Sequence, residues 1–262
     1  MSRYLRLLFV QIRTSLATAM HYRVDFLVQG VISLWWVVWT LVPLLVVFGG
    51  RSSIAGWSMP EALMVVAWFT LLRGILEGAI NPSLLTIVEH IRLGTLDFVL
   101  VKPADAQFLV STAKFVPWKL LDVVAAGILM FIAFARLGRS PEPTHVALAG
   151  VMLIAAVAVM YSLWILVVSA AFWVVRLDNL AYLFSSIFDA ARWPLSVFRG
   201  VWKFLFTFVI PLGLMTTFPA MALLGTLSPK TAFASLGGAL ALAVLARLIW
   251  TAALARYTSA SS

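Results

Sequence analysis

Long apolar runs alternate with short polar breaks along nearly the whole chain, and each run reaches the roughly 20 residues an α-helix needs to cross a bilayer core. The runs lie at about 26–48, 61–85, 108–135, 146–175, 204–224 and 231–255. They predict an all-α polytopic membrane protein of six transmembrane helices in one domain, residues 1–262. Gly and Pro mark the short breaks at 52–60, 136–145 and 225–230. Two longer polar stretches, 86–107 and 176–203, are expected to leave the hydrocarbon. The second reads as an interfacial segment, because Asp178, Asp189, Arg192 and Pro194 argue against a seventh crossing through its apolar residues. In the segment 1–25, Tyr4, Leu7, Leu8, Ile12 and Leu16 recur at helical spacing between Arg3, Arg6, Arg13 and Arg23. It is expected to lie along the membrane surface and, lacking a small-residue cleavage pattern, to be retained.

Composition agrees: 63% hydrophobic against 11% charged residues leaves more apolar surface than a soluble fold can hide. The net charge of +9 does not indicate nucleic acid, since the basic residues are scattered between apolar runs and form no continuous face. Their distribution reads as topology. With the N-terminus inside, Arg3, Arg6, Arg13, Arg23, Arg92, Lys102, Lys114, Lys119, Arg176, Arg192, Arg199, Lys203 and Arg256 face the cytoplasm. Arg51, Arg136, Arg139 and Lys230 face outward. That asymmetry predicts cytoplasmic N- and C-termini. The absence of cysteine excludes disulfides and thiolate chemistry, and His21, His90 and His145 sit in separate polar segments, which disfavours a shared metal site.

No phosphate-binding loop, dinucleotide fingerprint, zinc-protease helix or nucleophile elbow occurs, so no catalytic residues, metal or cofactor are assigned to this chain. Charges within the runs are the informative exceptions. Arg73 and Glu77, four apart, share a helical face and can pair; they are expected either to pack against protein or to line a watery route. Lys119 and Asp122 stand near the start of the third run. Gly74 and Gly78 form a G-x-x-x-G that permits close approach of another helix. Arg247 is expected to snorkel to the cytoplasmic interface. Pro211 and Pro219 interrupt the fifth run, which reads as a kinked helix with a turn or as a broken element needing protein or water around it.

The segment Glu89-His90-Ile91-Arg92-Leu93-Gly94-Thr95-Leu96-Asp97-Phe98-Val99-Leu100-Val101-Lys102-Pro103 resembles the ABC-2 type permeases. These carry a charged stretch, Gly-Thr-Leu-acidic, an apolar run and a proline after the second span. Gly94, Thr95, Leu96, Asp97 and Pro103 match, and the form is similar to a bacterial subgroup of uncharacterised transport permeases. Arg192-Trp193-Pro194 and 210–220 extend the likeness. The resemblance implies a fold like that of type V exporters and a multi-pass protein of the bacterial inner membrane. It also implies separate ABC ATPase subunits that carry ATP and Mg2+, and a second permease subunit, a heterodimer being favoured. Glu89, Arg92, Gly94, Thr95, Leu96, Asp97, Phe98 and Pro103 would then form the ATPase-coupling segment, and the glycines of the second span would meet the second permease subunit. Pro211, Phe218 and Pro219 would belong to an outer gate. A polytopic enzyme acting on lipid or peptide, and the coupling subunit of an energy-coupled importer, are the alternatives; the first would need a nucleophile or metal set beside the charged pairs.

Overall fold

The computed structural model describes residues 3–172 and 185–256. Among these, α1 (Arg3–His21) precedes α2 (Arg23–Phe48), and a two-stranded hairpin (β1, Ser53–Ile54; β2, Trp57–Ser58) leads into α3 (Met59–Ile75). After a wide π-type turn, Leu76–Ile80, the same rod continues as α4 (Asn81–Arg92). Short helices α5 (Asp97–Leu100) and α6 (Ala106–Ser111) follow, then α7 (Leu120–Leu137), entered through a tight turn at Pro117–Lys119, and α8 (Pro143–Ser169). The last part holds α9 (Gly200–Phe204), continued by a π-type turn at Leu205–Val209; a second such turn, Gly213–Thr217, running into α10 (Phe218–Leu223); and α11 (Pro229–Leu254).

Five helical rods are long and apolar enough to cross a membrane, or six if the pair Gly200–Val209 and Gly213–Leu223, bent by 68°, counts as one. The rod Met59–Ile91 is the central one. It is mostly buried, and its stretch from Ala62 to Phe69 is apolar on all sides and buried without interruption, as expected of a helix surrounded by protein. By contrast α2 turns Val31, Leu34, Trp35, Val38 and Val46 outward, an apolar exterior that suits lipid. Small residues set the close packings. Ala232, Ser235, Ala239, Ala246 and Ala253 form a buried stripe on α11, which packs along α8.

The bundle has two distinguishable ends. At the hairpin end, Arg136 reaches Met59, Arg139 donates to the Leu224 carbonyl, and His145 covers Gly225. At the opposite end, Tyr4 stacks edge-on against Phe108, Phe172 against Trp250, and Phe115 N–H donates to the Ser15 hydroxyl.

Several boundaries differ from the sequence reading, each for a local reason. The second run does not leave the helix at residue 86, because Ile80, Leu84, Ile87 and Ile91 continue a core-facing stripe to Arg92. The third run is divided: Asp105 caps α6 by accepting from Phe108 N–H at 3.0 Å, and the spanning helix starts only at Pro117. The fifth run is not one continuous span. Pro211 can donate no backbone hydrogen bond, and the chain bends between the two π-type turns that flank it. The largest departure concerns 176–203, expected as one interfacial segment. Residues 173–184 lie outside the described ones, but Phe188 packs on Phe69 inside the bundle. Ser196 bonds Trp57 Nε1 at 3.0 Å and the Ala55 carbonyl at 3.1 Å, at the hairpin end. Residues 188–196 therefore run inside the bundle toward the hairpin end and do not lie along its surface. Asp189 and Arg192, which argued against burial, answer each other at 3.2 Å, and the Arg192 guanidinium lies 5.5 Å from the Phe69 ring centre.

Candidate functional site

At the end opposite the hairpin, the Gly94-Thr95-Leu96-Asp97 signature is a helix stop followed by a restart. Gly94 takes a left-handed conformation (φ +66°) that a side chain would strain. Thr95 N–H then donates to His90 O at 2.9 Å and Gly94 N–H to Ile91 O at 3.3 Å, the paired bonds of a Schellman stop. The Thr95 hydroxyl lies 2.7 Å from His90 Nδ1 and locks the turn. Leu96 is 0% exposed and pins the loop to the core. Asp97 opens α5, whose outer side presents Phe98 (71% exposed), followed by Val101 (79%). Glu89 is exposed on the last turn of α4, Arg92 ends that helix, and Pro103 stands in the exposed turn after α5.

This segment is tied into the bundle from behind. Asp105 bonds Arg247 of α11 at 2.7 Å, Arg247 also meets Gln107, and Gln107 and Ser111 both reach the Tyr161 hydroxyl of α8 at 3.0 and 2.7 Å. Asp105 N–H donates to the Tyr4 hydroxyl of α1. Arg247, expected to snorkel, thus has a protein partner. Its hydrogen bond is the first cause that holds the Asp105 carboxyl below its ordinary range.

Inside the bundle the two charged pairs read from the sequence form one network. Arg73 Nε donates to Glu77 Oε1 at 2.9 Å; Lys119 Nζ meets Glu77 Oε2, Asp122 Oδ2 at 3.3 Å and the Ser33 hydroxyl at 3.1 Å. Ser33 in turn donates to Asp122 Oδ1 at 2.6 Å. Two cations and two carboxylates balance, which is what burying such groups requires. The network joins α2, α3 with the wide turn after it, and α7 with the tight turn that enters it. Gly74 and Gly78 make it possible: a Cβ at Gly74 would stand 3.1 Å from Asp122 Cβ and 3.2 Å from the Lys119 carbonyl, and one at Gly78 would stand 3.0 Å from Lys119 Cβ. The G-x-x-x-G therefore receives α7 of its own chain, where a second subunit was expected. Beside it lies an apolar cavity of about 330 Å3 bounded by Gly74, Gly78, Leu120 and Val123.

The bent pair packs its second limb fully into the core, and its first only through Phe206. Thr216 donates to Ala191 O at 2.7 Å and Thr217 accepts from Leu195 N–H at 3.1 Å. Pro219 is buried, Phe218 joins both hydrophobic clusters, and Pro211 sits at the bend. In the first limb Val201, Trp202, Phe204 and Phe208 stay exposed. Among the described residues no three of His, Asp and Glu gather where they could hold a metal ion.

The signature segment, the intramembrane network and the bent pair thus lie in different parts of the bundle, joined by α7, α8 and α11. No curated protein matches the chain, and no solved structure does. The family model described as ABC-2 family transporter protein matches residues 34–261, which takes in the latter part of α2, every later spanning rod, the Gly94 stop and the bent pair. By that match, the chain belongs to the ABC-2 family of transporters, as a multi-pass membrane component of the transport system.

Proposed function

We propose that this chain is the permease subunit of an ABC exporter in a bacterial inner membrane, and that it forms its pathway with a second, related permease subunit. Separate cytoplasmic ATPases bind ATP and Mg2+ and drive it through the segment Glu89 to Pro103. The observation that carries this reading is the pairing of a fully buried Leu96 with exposed Phe98 and Val101 on a rigidly stopped helix end. Apolar side chains held out from an anchored turn, beside Asp97 and Glu89, are what a partner's groove covers and orients.

Charge supports placing that end in the cytoplasm. It holds Arg3, Arg6, Arg13, Arg23, Arg92, Lys102, Lys114 and Arg256, against Arg51, Arg136, Arg139, Arg199 and Lys230 at the hairpin end, or six there with Lys203 of α9. Movement of α5 would reach the bundle through α6, along Asp105–Arg247 to α11 and Gln107–Tyr161 to α8. At the other end the bent pair, with Pro211, Phe218 and Pro219, would serve as the outer gate, and Arg73–Glu77 would border the route.

The test is co-purification of the chain with an ATP-hydrolysing subunit. Phe98→Glu, and charge reversal at Asp97 with Arg92, should abolish the association while the chain stays folded. Because the native sequence has no cysteine, a single cysteine at position 98 reports cleanly on sidedness. Labelling of that position only from outside the cell would overturn the reading.

A further inference from the structure

A cavity of about 380 Å3 is lined by Trp36, Trp39 and Thr40 of α2, Arg73 of α3, and Asp189 and Arg192. Arg73 stands 14 residues beyond the start of α3, about 21 Å along a helix that rises 1.5 Å per residue. That is well inside a hydrocarbon layer of about 30 Å. Trp39 and Trp36 lie 9 and 12 residues before the end of α2, about 14 and 18 Å from the same end of the bundle.

The donors facing this cavity are not used up. Arg73 spends Nε on Glu77, and Arg192 spends Nε on the Asp189 carbonyl and Nη2 on its carboxylate. Both terminal nitrogens of Arg73, Nη1 of Arg192 and the indole N–H groups of Trp36 and Trp39 find no acceptor among the described residues. Guanidinium donors at hydrocarbon depth must be met by an acceptor, and the strongest match to a planar fork is a phosphate or carboxylate. The mouth of the cavity decides where that group comes from. Trp36 and Trp39 are 54% and 49% exposed on the apolar flank of α2 that also carries exposed Ile32 and Trp35. The way in is therefore from the bilayer.

We infer that this cavity binds the anionic headgroup of a membrane amphiphile, which enters sideways past Trp36 and Trp39 and places its phosphate or carboxylate between Arg73 and Arg192. The amphiphile's apolar part rests on the two indoles. This rests on the helices standing in a bilayer, not on the ATPase partnership, so co-purification with an ATPase would survive its failure.

The experiment titrates the detergent-purified, delipidated chain with dioleoylphosphatidylglycerol, dioleoylphosphatidylcholine and inorganic phosphate, and reads bound adducts by native mass spectrometry. Phosphatidylglycerol should bind about tenfold or more tightly than phosphatidylcholine, whose phosphate is the same but is followed by a choline cation that Arg73 and Arg192 repel. Arg192→Gln should erase that preference and Arg192→Lys should restore part of it. Trp36→Ala with Trp39→Ala should weaken phosphatidylglycerol binding without touching the fold, and serves as the test should Arg192→Gln not fold. Equal binding of the two lipids overturns the inference. So does a folded Arg192→Gln chain that keeps the preference, or inorganic phosphate competing at the same concentration as the lipid, which would make the site one for a free anion.

Discussion

Replacing Lys119 by methionine keeps the aliphatic stem that packs on Gly78 and deletes the cation that touches both carboxylates of the intramembrane network. The four charges then sum to −1 instead of zero. Asp122, 2% exposed, is left with only the Ser33 hydroxyl as a short-range donor in that network. Removing one partner of a buried ion pair costs about 3–5 kcal/mol, because the other charge stays buried. Arg73 still answers Glu77, which argues for the lower end, about 3 kcal/mol. For a chain of this size each kcal/mol moves the melting temperature by about 2–4 °C, so the fall should be roughly 6–12 °C. Adding Asp122→Asn restores neutrality, and the amide oxygen can still accept from Ser33. The double variant should therefore recover at least half of the loss, about 1.5 kcal/mol. Thermal melts of the detergent-purified chain, followed by tryptophan fluorescence, measure both. A Lys119→Met chain that melts within about 2 °C of the parent, or a double variant less stable than the single one, would refute the idea that Lys119 neutralises this site.

Gly78→Ala brings a Cβ to 3.0 Å from Lys119 Cβ, and Gly74→Ala meets the Lys119 carbonyl; each should cost about 1–3 kcal/mol in the same melts by forcing α7 away. Gly94→Ala places a side chain at φ +66° and should lose about 1 kcal/mol of stability. It should lower ATPase co-purification more than it lowers the melting temperature, because α5 is re-aimed. Ala55 has φ +50° in the two-residue hairpin turn, so Ala55→Asn should stabilise by about 0.5–1 kcal/mol. Asp105 is held below the ordinary carboxylate range by Arg247, so it contributes stability above its unfolded pKa that is lost as pH falls through the lower folded value. Hydrogen-exchange protection at Ala106–Ser111, taken relative to intrinsic rates, should therefore fall below about pH 4 in the parent, and Asp105→Asn should remove that pH dependence.

Much of this was legible where one periodicity decides the outcome. The apolar runs announce the spans because nothing but a bilayer or a protein interior accommodates them, and the Gly94 stop reads locally because its bonds close within six residues. The division of 108–135 also had a signal, Asp105 as a cap and Pro117 as a helix start, which the continuity of apolar residues masked. The course of the chain through 185–197 was not legible, since Asp189 and Arg192 counted as two costs when scored singly. Paired three residues apart, with Arg192 also resting on Phe69 and Asp189 still half exposed, they cost much less than two lone charges.

The intramembrane network shows why the remainder needed three dimensions. Helical spacing put Arg73 beside Glu77 and Lys119 beside Asp122, because those partners are one turn apart. It carried no information on which face of α7 meets which face of α3, and so left two separate pairs where one network exists. The contact that merges them, Lys119 to Glu77, follows from Gly74 and Gly78 letting the Lys119 backbone close in. Two glycines one turn apart, Gly74 on α3 and Gly78 in the wide turn that continues it, are thus the cause of the charge geometry. Any other α7 register would separate the Lys119 ammonium from Glu77 and leave Lys119 to answer Asp122 alone, which is why the glycines and the charges should be lost or kept together when either is altered.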